Sequence, residues 1–375
     1  MIPRSELTRR HFLKAALISG AAAAAATRWG VSPTMAAAPA PDAAPAPVPA
    51  PAAAAGRKSR VALTAGEDRA DIAFQGLKTF EKEIAAAIGD KRVIVKPNNV
   101  EIGIPLACTA AENLEGILEF LKSIGKKNIV IAESAAGNTM QGFSNLGYTK
   151  LSEKYGVPLM DLDTQPCEVL ACFNQTDLRP HPVRMSSILL DPNNFVISSA
   201  KLKTHNFAVA TLSLKNIVLG APVKTGGRSD KGTVHGGGSR GINFNLANLA
   251  FRLHPHLAVI DGYQGMEGSG PSRGTPVEHR VCVTSLDWLA ADRVGVELMG
   301  IDPAKIGYMT YCSQFAMGET DLSRIEIVGP DIKEHIKTYK LAPNIDSQLE
   351  WMQPYSPPGG QPGNRRGGPP GGRVS

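Results

Sequence analysis

Aromatic residues are scarce in this 375-residue chain, at 6%, and cysteine is scarcer still, with five. No two cysteines form a C-x-x-C pair, which argues against zinc ribbons, thioredoxin chemistry and ferredoxin-type clusters. An odd count cannot pair completely within one chain. Cys167 and Cys172 are near enough in sequence to join in an oxidising compartment, or else stand as two buried thiols. A strong excess of one charge is also lacking. The net charge is +6, and Arg4, Arg9, Arg10, Lys14 and Arg28 all precede the folded region. Nothing there points to nucleic acid. No apolar run is long enough for a stable transmembrane span, no internal repeat is visible, and no phosphate-loop or dinucleotide fingerprint occurs.

Glycine (38) and proline (28) are plentiful, and much of the excess lies at the two ends. Thr8-Arg9-Arg10-His11-Phe12-Leu13-Lys14 carries the twin-arginine export motif, followed by a weakly apolar, alanine-rich segment from Ala15 to Ala26. That segment is too short and too mild to span a membrane. Small residues near Ala36–Ala38 suit cleavage, and no cysteine is there for lipid attachment. Residues 1–38 therefore read as an export signal, the twin-arginine translocon as a partner, and the periplasm or another extracytoplasmic space as the destination. Export in the folded state is compatible with a cofactor without naming one. Residues 39–56 alternate Pro and Ala, a semi-rigid polyproline II spacer. Residues 57–346 form the folded domain, and 347–375 read as a solvated, disordered Pro/Gly/Arg tail.

The folded region alternates strand and helix. Strand signals occur at Arg60–Thr64, Arg92–Lys96, Asn128–Ala132, Pro158–Leu162, Glu168–Phe173, Ser186–Leu190, Asn194–Ser199, Leu257–Ile260, Arg280–Thr284 and Arg324–Val328. Helical periodicity covers Ile72–Ile88, Leu114–Ile124, Ile242–Leu253, Asp287–Met299 and Pro303–Phe315. Thr109 and Glu112 form a capping box before Leu114, and Gly125 stops that helix. Strands joined by helices of this length make parallel β-α-β units. The expectation is an α/β fold with a mixed, largely parallel sheet and flanking helices.

The most telling stretch runs from Ala200 to Ala221. If the strand continues past Ser199, period-two alternation puts Ser199, Lys201, Lys203 and His205 on one face. Helical spacing then aligns Thr211 with Lys215, four residues apart. Lysines at a strand end before a helix start offer an anion point charges and free N–H groups.

Ligands in open α/β sheets sit at the carboxyl ends of strands. Lys96, Asn98, Asn99 and Glu101 follow one strand; Glu133 and Ser134 follow another. Asp261 follows a third and leads into the Gly-rich loop Met266–Gly274 with Glu267, and Asp287 stands five before Asp292. Lys96, Asn98, Lys201, Lys203, Lys215 and Asn216 are expected to bind substrate. Asp261, Glu267 and His205 are candidates for catalysis, and Asp287 and Asp292 for a divalent metal. His181, His235, His254, His256 and His279 are either further ligands or helix-end and surface histidines. The loop Val223–Gly241 is either a lid over the lysines or a surface loop.

VIVKPNNV, KLKTHNFAVATLSLKNIVLG, VIDGYQGMEGSGPSRGTPV and TSLDWLAADRVGVELMGID, in that order, resemble the motifs of the domain-of-unknown-function 362 family, from Val61 to Gly329. The resemblance implies that Lys96, Asn98, Lys203, His205, Lys215, Asn216, Asp261, Glu267, Gly270, Asp287 and Asp292 occupy motif positions. Many members carry iron–sulfur segments; this chain has no iron–sulfur motif, so a cluster of its own is not expected. Three functional readings stand: an enzyme acting on a small anionic ligand, with or without metal assistance; a periplasmic anion-binding protein; and a redox accessory protein with iron–sulfur partners.

Overall fold

The computed structural model describes residues 58–226 and 228–355. The export signal, the whole of the spacer and the last part of the tail lie outside these residues. Nine strands build one sheet: β1 (Ser59–Ala65), β2 (Arg92–Lys96), β3 (Ile129–Glu133), β4 (Leu159–Asp161), β5 (Asn194–His205), β6 (Val209–Thr211), β7 (Leu257–Ser269), β8 (Arg273–Ser285) and β9 (Ile325–Val328). Their spatial order is β9-β1-β8-β7-β5-β2-β3-β4, with β6 folded back onto β5. β8 runs antiparallel to both neighbours and β6 antiparallel to β5; the remaining pairings are parallel. The expected mixed, largely parallel α/β sheet is what forms.

The apolar runs explain the centre. Val93, Ile94 and Val95 pair in register with Ile129, Val130 and Ile131. Val93, Val95, Ile129 and Ile131 enter one core, and Ile94 and Val130 enter the other. Both strands are thus buried on both faces, as continuous apolar strands in parallel sheets are. Helices α1 (Arg69–Lys78), α2 (Glu81–Ile88) and α3 (Ala111–Ser123) cover one face. Helices α4 (Ser213–Gly220), α5 (Ser239–Ala250), α6 (Trp288–Leu298) and α7 (Gly307–Gln314) cover the other.

Several boundaries differ from the sequence reading. The single helix over 72–88 is two, because the Thr79 hydroxyl bonds back to Gln75 O (3.0 Å) and Phe80 leaves the helical path. Thr109 does not cap α3; its hydroxyl accepts from Asn98 N–H (2.8 Å) and donates to Ser199 O (2.6 Å), tying the segment after β2 to the middle of β5. Ser187–Leu190 is a helical turn after a separate two-stranded hairpin of Cys167–Asn174 with Arg179–Ser186. β5 runs past Ser199 to His205, and β7 past Ile260 to Ser269, where the Gly-rich loop becomes a hairpin turn into β8. Cys167 and Cys172 lie five apart on one strand, Cys167 exposed and Cys172 buried, and both are free thiols. Five extended residues span roughly 16 Å, beyond a disulfide's reach. The folded chain also continues beyond 346: Gln348 is buried and accepts from Val209 N–H (2.7 Å), and Arg240 donates to the carbonyls of Glu350, Trp351 and Gln353. Among the described residues no helix is long and apolar enough to cross a membrane.

Candidate functional site

Lys96, the last residue of β2, is fully buried, and an ammonium there needs partners. It has four. The Glu133 carboxylate, ending the neighbouring β3, takes it at 2.8 and 3.0 Å, and Pro97 O and Asn216 Oδ1 accept at 2.9 and 3.1 Å. Glu133 also accepts from the backbone N–H groups of Asn99 and Ser134. Asn216 on α4 donates to Lys96 O and Ser198 Oγ, and accepts from Asn98 Nδ2 (3.0 Å). Two strand ends and one helix are locked together by this network. Gly220 makes room for it, since a Cβ there would stand 1.9 Å from Lys96 Cε.

Beside the network lies a cavity of about 200 Å³, lined by Lys96, Asn98, His205, Lys215, Lys231 and His235 among others. Lys215 sits next to Asn216 on α4 and is 5% exposed. Among the described residues its Nζ has no hydrogen-bond or ion-pair partner. Burial, with a smaller contribution from the Lys231 charge, lowers its pKa to about 7. Lys231, half-buried, donates to Ser134 O and Leu219 O (3.1 Å), and burial lowers it to about 8.

The two imidazoles are uncharged at neutral pH. Burial, then Lys215, holds His205 well below its ordinary value and His235 at about 4. Their hydrogen bonds assign opposite tautomers. His205 Nδ1 accepts from Phe207 N–H (2.9 Å), so its proton resides on Nε2. His235 Nδ1 faces Lys231 O (3.1 Å) and must donate, which leaves Nε2 with a free lone pair. The cavity wall thus offers one imidazole donor and one imidazole acceptor. It also holds buried polar atoms without partners: Asn98 Oδ1, Asn99 Nδ2 and Thr211 Oγ1. With Lys96 neutralised by Glu133, Lys215 and Lys231 leave an excess of positive charge. Such a cavity can take a small anion that also carries a hydrogen-bond donor.

Of the residues singled out from sequence, Lys96, Asn98, His205, Lys215 and Asn216 come together here. Lys201 and Lys203 do not line this cavity. Because β5 is extended to its end, alternate residues advance by roughly 7 Å, and the three basic side chains spread along the strand instead of converging. Lys203 donates to Ala107 O, and burial lowers it to about 7. Lys201 is 3.6 Å from the buried Asp261, which also meets Arg69 at 3.5 Å; Lys201 and Arg69 line a separate depression with Thr109 and Gln264. Asp261 lies within β7, in register with Lys201, not at a strand end. Glu267 is further along the same arm and accepts from Lys340 N–H (2.9 Å).

Asp287 and Asp292 are corrected more sharply. β8 runs opposite to its neighbours, so Asp287 emerges at the other edge of the sheet, where Ser59 at the start of β1 donates to it (2.6 Å). There it caps α6 through Leu289 and Ala290 N–H (3.1 and 3.0 Å). Asp292 is buried and accepts from Ser213 and Leu214 N–H, the Ser213 hydroxyl and Tyr308 (3.0 Å); it caps α4. The two carboxylates thus serve different helix N-termini, Asp287 that of α6 and Asp292 that of α4. Of the other histidines, His254 and His256 bond at Ala250 O and Val196 N–H, His279 at Tyr339 and His335 O, and His181 at Asp177.

Glu133 and Lys231 were not among the site residues selected from sequence, and His235 was named there only as either a further ligand or a surface histidine. Glu133 was visible at its strand end. Lys231 and His235 lie in the Gly-rich stretch after α4, where a basic residue and a histidine were the available signal.

A profile of the family described as "Domain of unknown function (DUF362)" matches residues 93–297. A thylakoid-associated protein of Synechocystis sp., sll1697, is 26% identical over 234 residues, covering 61% of this chain and 69% of that protein. A crystal structure of a Thermotoga maritima protein aligns with a TM-score of 0.35 at 10% identity, covering 65% of this chain and 59% of that one.

Proposed function

This chain belongs to the domain-of-unknown-function family DUF362, and on that premise we propose that it is an enzyme acting on a small anion, a carboxylate or a phosphate, bound in the cavity around Lys215. The observation that carries the reading is a nine-tenths-buried amine without a partner among the described residues, lining a cavity in which Asn98 Oδ1, Asn99 Nδ2 and Thr211 Oγ1 are also unsatisfied. Leaving such groups unpaired costs stability, and a ligand anion with a donor group relieves that cost. An acceptor and a donor imidazole on the same wall favour turnover over storage, because they give a proton a place to leave from and a place to go. We further propose that the protein acts outside the cytoplasm, reached by the twin-arginine route, on the strength of the Thr8–Lys14 motif.

The binding part of the reading is tested by melting the folded protein with and without lactate or inorganic phosphate. The wild type should gain stability with the anion. Lys215→Met should lose that gain, and should melt about 2 °C or more above the wild type without ligand, since it removes an uncompensated buried amine. An unliganded melting point that falls, with the anion response intact, would mean that Lys215 is merely structural.

A further inference from the structure

Lys215 has more to offer than charge. We infer that it forms an imine with a small 2-oxo acid bound in the cavity. This rests on the anion-binding reading and specifies its substrate class. The geometry is that of an amine with no partner among the described residues, carried on α4 in one partly open cavity with His205, His235 and Lys231. Three other buried lysines are spoken for: Lys96 by Glu133, Lys203 by Ala107 O, and Lys201 by its nearby carboxylate Asp261. The low basicity of Lys215 adds to this, because at about 7 about half the molecules carry the neutral, nucleophilic amine at neutral pH.

The step conserves atoms and electrons. The Nζ lone pair adds to the keto carbon as the C=O π pair moves to oxygen, which accepts a hydrogen bond from His205 Nε2–H. One N–H proton passes to the His235 Nε2 lone pair and from there to that oxygen, giving a neutral carbinolamine. Its hydroxyl is the kind of donor that Asn98 Oδ1 lacks. The remaining N–H proton, relayed by His235 in the same way, lets the hydroxyl leave as water with the C–O pair while nitrogen forms the C=N bond. The sum is amine plus ketone to imine plus water, with no change in oxidation state. Lys231 provides the cation for the carboxylate.

The test treats the full folded protein with pyruvate or with lactate, its hydroxy counterpart of equal charge. Borohydride is then added, and adducts are located by peptide mass spectrometry. The inference expects a reduced adduct on Lys215 with pyruvate, none with lactate, and none in Lys215→Arg, with Lys203→Met still labelled at Lys215. If both acids raise the melting temperature equally and no adduct forms, anion binding stands and the imine is overturned. If neither acid shifts the melting temperature and no adduct forms, both readings fall. Labelling spread over surface lysines without preference for Lys215 also overturns the imine.

Discussion

At the residue scale, the site is a set of basic groups prevented from being fully basic. Lys203 and Lys215 stand at about 7 and Lys231 at about 8, each lowered chiefly by burial, while His205 and His235 stay neutral and Lys96 is held by Glu133. The sign follows from linkage. Below about pH 10 the unfolded lysines are protonated, whereas the folded ones stay neutral down to their lowered values, so the unfolded state binds more protons in that window. The unliganded protein should therefore become more stable as pH rises from about 7 towards 10, as far as these groups contribute. An anion reverses this preference, because it favours charged Lys215 and Lys231. Lactate keeps one charge throughout, so its stabilising shift should grow as pH is lowered from about 8 through about 7. Melting curves across that range check both trends, and a lactate shift that ignores pH would separate binding from Lys215 and Lys231.

At the element scale, α4 delivers the site. Its N-terminus is capped by Asp292, to which the Ser213 hydroxyl also donates, Asn216 ties it to β2, and Gly220 lets Lys96 pass beneath its last turn. Asp292, expected as a metal ligand, serves the site by anchoring the helix that carries Lys215. Gly220→Ala should displace Lys96 from its bed and cost the Glu133 carboxylate its ammonium partner, since the new Cβ would stand 1.9 Å from Cε of the fully buried Lys96. The expected loss is about 1–3 kcal/mol, read from denaturant midpoints, together with loss of the anion response. A silent Gly220→Ala would mean that Lys96 moves freely and that the network does not set the cavity. The register of β5 was legible from alternation; its length was not. Period two continues through any extended segment, and the end of β5 is fixed by its pairing with β6, which no local pattern announces.

At the scale of the whole molecule, the chain order of the strands differs from their spatial order. Insertion of β8 between β1 and β7 turns one strand end away from all the others that were read together. That single reversal removes Asp287 from the site. The proposed export route is a property of the full chain, and it is tested on the full chain. Replacing both Arg9 and Arg10 with Lys should leave the precursor in the cytoplasm at full length, seen by fractionation and immunoblotting. Normal delivery of the double variant would sink the proposal.

By itself the sequence determined the fold class, the pairing of β2 with β3, the family motifs and five of the cavity's residues: Lys96, Asn98, His205, Lys215 and Asn216. These follow from short-range facts, because apolar runs specify buried parallel strands and residues just beyond them lie at a sheet edge. Only the tertiary structure decided which charges are neutralised and which remain free. Lys201, Lys203 and Lys215 are alike as letters in one stretch. The first meets Asp261 from β7, the second meets Ala107 from a loop before α3, and the third meets no partner among the described residues. Those partners come from parts of the chain far from the stretch itself. The chemistry of a lysine depends on its neighbours in space, so the distinction between a structural ammonium and a reactive amine exists only once the sheet has assembled.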